Sequence, residues 1–174
     1  MISPFMRAGC ISALVMLAAA SMPGAALESA LAQADLVVRG KVGREGIVIL
    51  DLQTIMSFPP TTFRTIDPWD KEQKEHSFTG VLLKDLLARL GIRDDAKVLV
   101  LTAKNNYTIP VERKDYEEHG SIIAWMMDGK LLATDPALRK RGPLAVAIDF
   151  AGNKDLPVEI YKHQLIWQLA DILV

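Results

Sequence analysis

From residue 35 onward, Gly, Pro and Asp cut the chain into apolar runs of four to six residues, a length that suits strands and is short for most helices. Asp35-Leu-Val-Val-Arg-Gly40 and Ile47-Val-Ile-Leu50 flank Gly43 and Gly46, which predicts an opening hairpin. Val98-Leu-Val-Leu101 and Tyr107-Thr-Ile-Pro-Val111 predict two further strands, with a short helix at Asp115-Tyr116-Glu117-Glu118. Ile122-Ile-Ala-Trp-Met-Met127 and Lys130-Leu-Leu132 flank Asp128-Gly129, the strongest hairpin signal in the chain. Gly142-Pro143 opens the run Leu144-Ala-Val-Ala-Ile148, and the stretch from Leu165 to Val174 predicts a strand pair or one long bent strand.

Helical spacing is rarer. Leu52, Ile55 and Met56 fit one short helix that stops at Pro59-Pro60, before the β-prone Thr61-Thr-Phe-Arg-Thr65. After a charged loop from Asp70 to Glu75, Val81, Leu82, Leu83, Leu86, Leu87 and Leu90 form an apolar stripe opposite Lys84, Asp85 and Arg89. That stripe predicts an amphipathic helix ending at Gly91. Many short strands, few helices and no regular alternation of the two predict an α+β, mostly β domain.

The N-terminus reads differently. Arg7 precedes thirteen uncharged residues, Ala8-Gly-Cys-Ile-Ser-Ala-Leu-Val-Met-Leu-Ala-Ala-Ala20, followed by Pro23-Gly24 and then Ala30-Leu31-Ala32. A basic head, an apolar stretch and an A-x-A site predict a secretory signal peptide over residues 1–32 and a single domain over 33–174. Cleavage is expected after Ala32, with Ala20 and Ala26 as alternatives. A spanning helix needs roughly 20 apolar residues, and Pro23-Gly24 interrupt the stretch early, so no stable membrane anchor is expected after cleavage. The protein is therefore expected in the periplasm or secreted. The chain's one cysteine, Cys10, would leave with the signal, removing any disulfide or thiolate from the working domain.

Composition narrows the function. Twenty Lys and Arg balance 21 Asp and Glu for a net charge of −1, so there is no basic excess for a nucleic-acid partner. The three histidines, His76, His119 and His163, show no metal-ligand spacing, and no phosphate-binding or nucleophile-elbow motif occurs. Arg139-Lys140-Arg141-Gly142-Pro143 is the most concentrated basic site, where a guanidinium could grip an oxyanion bidentately. Arg64, beside Thr65 and near Trp69, is a second candidate contact for an oxyanion.

Several segments, taken in order, resemble one family. Phe78-Thr-Gly-Val-Leu-Leu-Lys-Asp-Leu-Leu87 resembles the F/W-x-G-V-x-L-x-D-L-L entry of the sulfite-oxidase-type molybdopterin-binding domain. Phe58-Pro-Pro-Thr-Thr-Phe-Arg-Thr-Ile-Asp-Pro-Trp69 resembles the preceding strand of that domain, and Tyr107-Thr-Ile-Pro110 with Asp115 its Y-x-x-x-I-P-x-x-D pattern. Met127-Asp-Gly-Lys-Leu-Leu132, Arg141-Gly-Pro-Leu144 and Trp167-Gln-Leu169 are similar to its later hairpin, turn and closing strand. The likeness spans about residues 36–174.

The resemblance implies coiled mixed sheets with flanking helices and a pocket for a pterin cofactor. In catalytic members a cysteine, often in an R-C pair ahead of a Trp, binds molybdenum; here Arg64-Thr65 stands in the corresponding place ahead of Trp69. A threonine hydroxyl is not a soft anionic ligand. The protein is accordingly expected to be an exported ligand-binding or accessory module on this fold, without molybdenum redox activity of its own. Arg64, Thr65, Trp69, His76, Arg113 and Arg141 are expected to line the pocket. The expected ligand is a small anion, a pterin-like molecule or a periplasmic or membrane partner protein. One alternative is an oxidoreductase that holds molybdopterin without a protein thiolate; another is a structural partner subunit.

Overall fold

The computed structural model describes residues 17–18, 24–44, 46–72 and 74–174, and every structural statement below concerns these. Arg7, Cys10 and most of the uncharged stretch lie outside them, as do Ala20 and Pro23. Ala26, Ala30 and Ala32 fall within the first helix, α1 (Gly24–Gln33).

The opening hairpin is formed by β2 (Leu36–Arg39) and β3 (Ile47–Leu50), with Val37 opposite Ile49. A two-residue strand, β1 (Leu17–Ala18), lies antiparallel on β3. The short helix α2 (Leu52–Met56) follows at once, its start held by the Asp51 carboxylate, which accepts from the Thr54 N–H at 2.7 Å. Pro59-Pro60 then separate α2 from β4 (Thr61–Ile66).

The next segment departs from its sequence pattern. The residues from Glu75 to Leu82 form a strand, β5, and the helix α3 covers only Leu83–Arg89. Val81 and Leu82, two members of the apolar stripe, therefore belong to a sheet. The strand wins because β5 hydrogen-bonds on both sides, to β4 and to β8 (Ile122–Met127), and so gains ladder bonds that a lone helical turn would not supply. Gly80 fits this crossing because a Cβ there would sit 2.2 Å from the Ile123 carbonyl oxygen. Helix α3 begins as the Leu83 N–H donates to the Ser121 carbonyl at 2.9 Å, and it buries Leu83, Leu86 and Leu87.

Strands β6 (Val98–Ala103) and β7 (Thr108–Glu112) pair antiparallel, and the short helix α4 (Arg113–Glu118) follows. Strands β8 and β9 (Lys130–Leu131) meet at Asp128-Gly129, whose φ values of +50° and +76° are those of the mirror-image turn expected of Asp-Gly. The chain ends with β10 (Ala145–Ala147), the one-turn helix α5 (Val158–Tyr161), a 3-10 turn at Lys162–Gln164 and β11 (Leu169–Leu173). Helix α5 has no counterpart in the sequence pattern.

Two sheets result. One has the order β1-β3-β2-β11-β6-β7, with β11 parallel to β2 and antiparallel to β6; the other runs β10-β8-β5-β4. A mixed sheet, an antiparallel sheet and few short helices make the α+β, mostly β domain that the sequence predicts. The main core includes Leu36, Val38, Leu86, Leu87, Leu101, Trp125 and Ile172. A smaller cluster of Phe78, Ile122, Met127 and Leu132 lies within the second sheet's territory.

Candidate functional site

Strand alternation decides which residues of β4 face inward. Thr65 is buried at 1 % exposure, whereas its neighbour Arg64 points out and lies 3.7 Å from Glu75. The Thr65 hydroxyl accepts a hydrogen bond from the Phe150 N–H at 3.1 Å. Just past the strand, the buried Asp67 organises the turn to Trp69: its Oδ1 accepts from the Trp69 N–H at 2.9 Å. Its other oxygen pairs with the Arg141 guanidinium, and that guanidinium also lies 4.1 Å from the centre of the Trp167 ring. Both charges are largely withdrawn from water, so each depends on the other.

Trp167 reaches this position because the C-terminal segment bends. It bridges to Ala145 of β10, Gln168 turns at φ +55°, and Leu169 then pairs with Ala103 in the other sheet. A small enclosed cavity of about 10 Å³ lies among Thr65, Asp67, Arg141 and Trp167. Trp167 and Leu165 also wall a larger open groove of about 450 Å³, together with Trp69, Asn105, Tyr107 and His163. That volume falls within the range of small-molecule sites.

The groove's outer wall is built from the stretch after α5. His163 meets Trp69 edge-on at 5.8 Å between ring centres, and Lys162 Nζ stands 5.7 Å from the Trp69 ring centre. The Tyr107 hydroxyl donates to the His163 carbonyl at 3.4 Å. From behind, the Gln164 side-chain amide donates to the buried Asp115 carboxylate at 2.9 Å, and Tyr161 packs edge-on against His119 at 4.7 Å. Trp69 itself remains 44 % exposed, so one lip of the groove is an indole open to solvent on the side away from His163.

Of the six residues the sequence nominates, Thr65 and Arg141 share the enclosed cavity and Trp69 lines the groove beside it. The other three line neither. Arg64 points outward from β4. Arg113 sits on α4, where it bonds Glu117 at 2.7 Å and the carbonyls of Arg93, Asp94 and Ala96. Glu117, the strongest of these contacts, raises the Arg113 pKa further. His76 is held between two carboxylates, with Nδ1 2.7 Å from Asp128 and Nε2 3.2 Å from Asp70. Partial burial pulls its pKa down, but the bonds to Asp128 and Asp70 outweigh this and leave it raised above 6.5. Asp128 is lowered in turn: burial opposes ionisation, but the His76 bond and the Ser77 N–H prevail.

Four lining residues had no local sequence signal as ligand contacts: Asp67, Asn105, Tyr107 and His163. Asn105 and Tyr107 share the β6–β7 turn, and they meet Asp67 and His163 only through the tertiary fold. Asp67 and Tyr107 fall inside the resembling segments Phe58–Trp69 and Tyr107–Pro110, but those strings mark neither of them as a lining residue.

The position of Thr65 does not fit a thiolate-held molybdenum centre. Its hydroxyl is committed to a backbone N–H, the adjoining cavity has room for about one water, and the nearby donors are a carboxylate and a guanidinium. Among the described residues no group of three or more His, Cys, Asp or Glu side chains is placed to hold a metal ion.

These features define a mixed-sheet α+β domain with an aromatic groove beside a buried ion pair. The chain belongs to the family of the oxidoreductase molybdopterin binding domain, whose model matches residues 25–137. Among solved structures it is similar to the sulfane dehydrogenase SoxCD from Paracoccus pantotrophus, with a TM-score of 0.59 and 13 % identity. The alignment covers 79 % of this chain and 37 % of that one, so the likeness is one of fold. No curated protein matches the sequence.

Proposed function

We propose that this protein is an exported ligand-binding module on the molybdopterin-domain fold, without molybdenum redox activity of its own. The observation that carries the reading is the contrast between two neighbouring places. At Thr65, where the resemblance puts the metal ligand, the hydroxyl is turned into the core and a buried Asp67–Arg141 pair stands alongside. Beside it, an aromatic groove of about 450 Å³ stays open to solvent.

The groove suits a small flat ligand. Trp69, Tyr107 and Trp167 offer stacking surface and Asn105 and His163 polar edges, while Arg141 and Lys162 stand behind the tryptophans, each paired with a carboxylate, Asp67 and Glu159. A pterin-like molecule has that shape. The exposed Trp69 and Tyr107 lips favour a second occupant, a periplasmic partner protein inserting an aromatic or apolar side chain. No helix among the described residues is long and apolar enough to cross a membrane.

The test uses protein purified from the periplasm of cells that make the cofactor, analysed for metal, for fluorescent pterin oxidation products and for its N-terminal residue. The expected result is no stoichiometric molybdenum, a mature start at Gln33, and pterin-6-carboxylate binding that Trp69→Ala weakens. Stoichiometric molybdenum would overturn the reading in favour of a thiolate-free oxidoreductase. An intact residue 1 in the purified protein would overturn the export claim.

A further inference from the structure

The loop that carries Trp69 is tied at its base by Asp67, which accepts from the Trp69 N–H and donates to the Lys74 carbonyl, and beyond Trp69 by the His76 imidazole at Asp70. His76, on β5, bonds Asp128 of the β8–β9 turn at 2.7 Å through Nδ1 and Asp70 at 3.2 Å through Nε2. Asp128 is fixed independently: its other oxygen accepts from the Ser77 N–H at 2.9 Å, and its own N–H donates to the Ser77 carbonyl at 2.8 Å. Asp70 stands on the other side of the ring, next to Trp69, in a turn closed by the Asp70 N–H donating to the Asp67 carbonyl at 3.0 Å. His76 lines neither cavity, so it acts on the groove only through this loop.

Two carboxylates can both accept from one imidazole only when both ring nitrogens carry protons. A neutral ring has a single N–H, and its second nitrogen then faces a carboxylate oxygen with no proton between them. The shorter bond, to the doubly anchored Asp128, is the one a neutral ring keeps; the Asp70 bond is the one it gives up. We propose that His76 is a proton-operated pin: charged, it holds the Asp70–Trp69 lip of the groove in place, and neutral, it lets that lip go. This rests on the groove being the ligand site. It adds that the site is set for binding at acidic to neutral pH and slackens as pH rises.

The charged groups facing the pin come from every side. Asp70 and Lys74 stand on its loop, Asp128 on the hairpin turn, and Glu75 and Arg64 on β5 and β4, the last two paired with each other. The two carboxylates that touch the ring favour its charged form, and together they keep it protonated above its ordinary range despite partial burial.

The experiment is an NMR titration of the exported protein, following the His76 ring, the Trp69 indole N–H and amide exchange over residues 69–72. We expect the Trp69 signal to shift with the His76 midpoint, raised above that of a free imidazole, and the protection factors of the loop amides, corrected for the intrinsic rise of exchange with pH, to fall by about tenfold beyond it, as loss of one charge-assisted bond implies. Asp70→Asn should lower the His76 midpoint and uncouple Trp69 from it. His163 also touches Trp69, so His163→Gln is the control and should leave the coupling intact. A Trp69 signal that ignores the His76 titration, or that follows His163 instead, overturns the pin. The readout needs no ligand. If pterin-6-carboxylate binds at no pH, the ligand reading fails while the pin stands or falls on these resonances alone.

Discussion

Thr65 is spent on the fold: its hydroxyl satisfies the buried Phe150 N–H, so removing it should be felt as an unpaired donor, not as lost chemistry. Thr65→Val is expected to lower stability by about 1–3 kcal/mol in urea unfolding, with groove binding little changed. Arg141 is the more costly position, because Arg141→Ala strands the Asp67 carboxylate, 4 % exposed, with no compensating charge. A loss of about 3 kcal/mol is expected, the lower end for breaking a buried pair because the guanidinium keeps some exposure. Trp69→Ala should do the reverse: under about 0.5 kcal/mol in stability, as for other surface changes, yet clearly weaker binding of pterin-6-carboxylate by calorimetry. Sequence motifs bring Thr65, Trp69 and Arg141 to notice because each stands in a short recognisable string. They give no sign of Asp67 as the counter-charge of Arg141, since a pair 74 positions apart leaves no local pattern.

Elements are legible where turn chemistry is strict. Asp128-Gly129 predicts its hairpin because few residues accept positive φ at both places, and the hairpin is there. The stretch from Glu75 to Leu82 instead suggests the approach to a longer helix, because Val81 and Leu82 fit a helical stripe as well as they fit a strand. Periodicity cannot see the two neighbouring strands that decide the matter. Two glycines separate the physical causes. Gly80→Ala would drive a Cβ into the Ile123 carbonyl and should cost about 2 kcal/mol or more, or prevent folding, through displaced strands. Gly129→Ala meets nothing within 4 Å and should cost only about 1–2 kcal/mol, from its φ of +76° alone. Thermal unfolding of the two variants side by side distinguishes steric from conformational cost.

The whole molecule should be most stable in a window set by opposing groups. His76 is raised in the folded state, so its contribution is complete below pH 6.5 and fades as pH climbs through the higher folded value. Asp51, Asp70, Asp95 and Asp128 are lowered, so theirs is complete above about 3.8 and fades as pH falls through the folded values. Asp171, raised by burial against the pull of Arg39, works the other way and favours the fold in acid. A Tm profile should therefore decline on the alkaline side, and His76→Gln should flatten that decline; an unchanged decline in the variant would count against the assignment. The order of the first sheet carries a further consequence. Its central strand β11 is the last of the described strands to be made, yet it lies between β2, among the first, and β6. Until residue 173 has left the ribosome, both of those strands keep an open edge facing a gap. A growing chain of this design can assemble the β10-β8-β5-β4 sheet once residue 147 is out, but the first sheet stays split into two halves until β11 fills the gap between them. Closure of that sheet, and of the core beneath it, is therefore the last event of folding rather than the first.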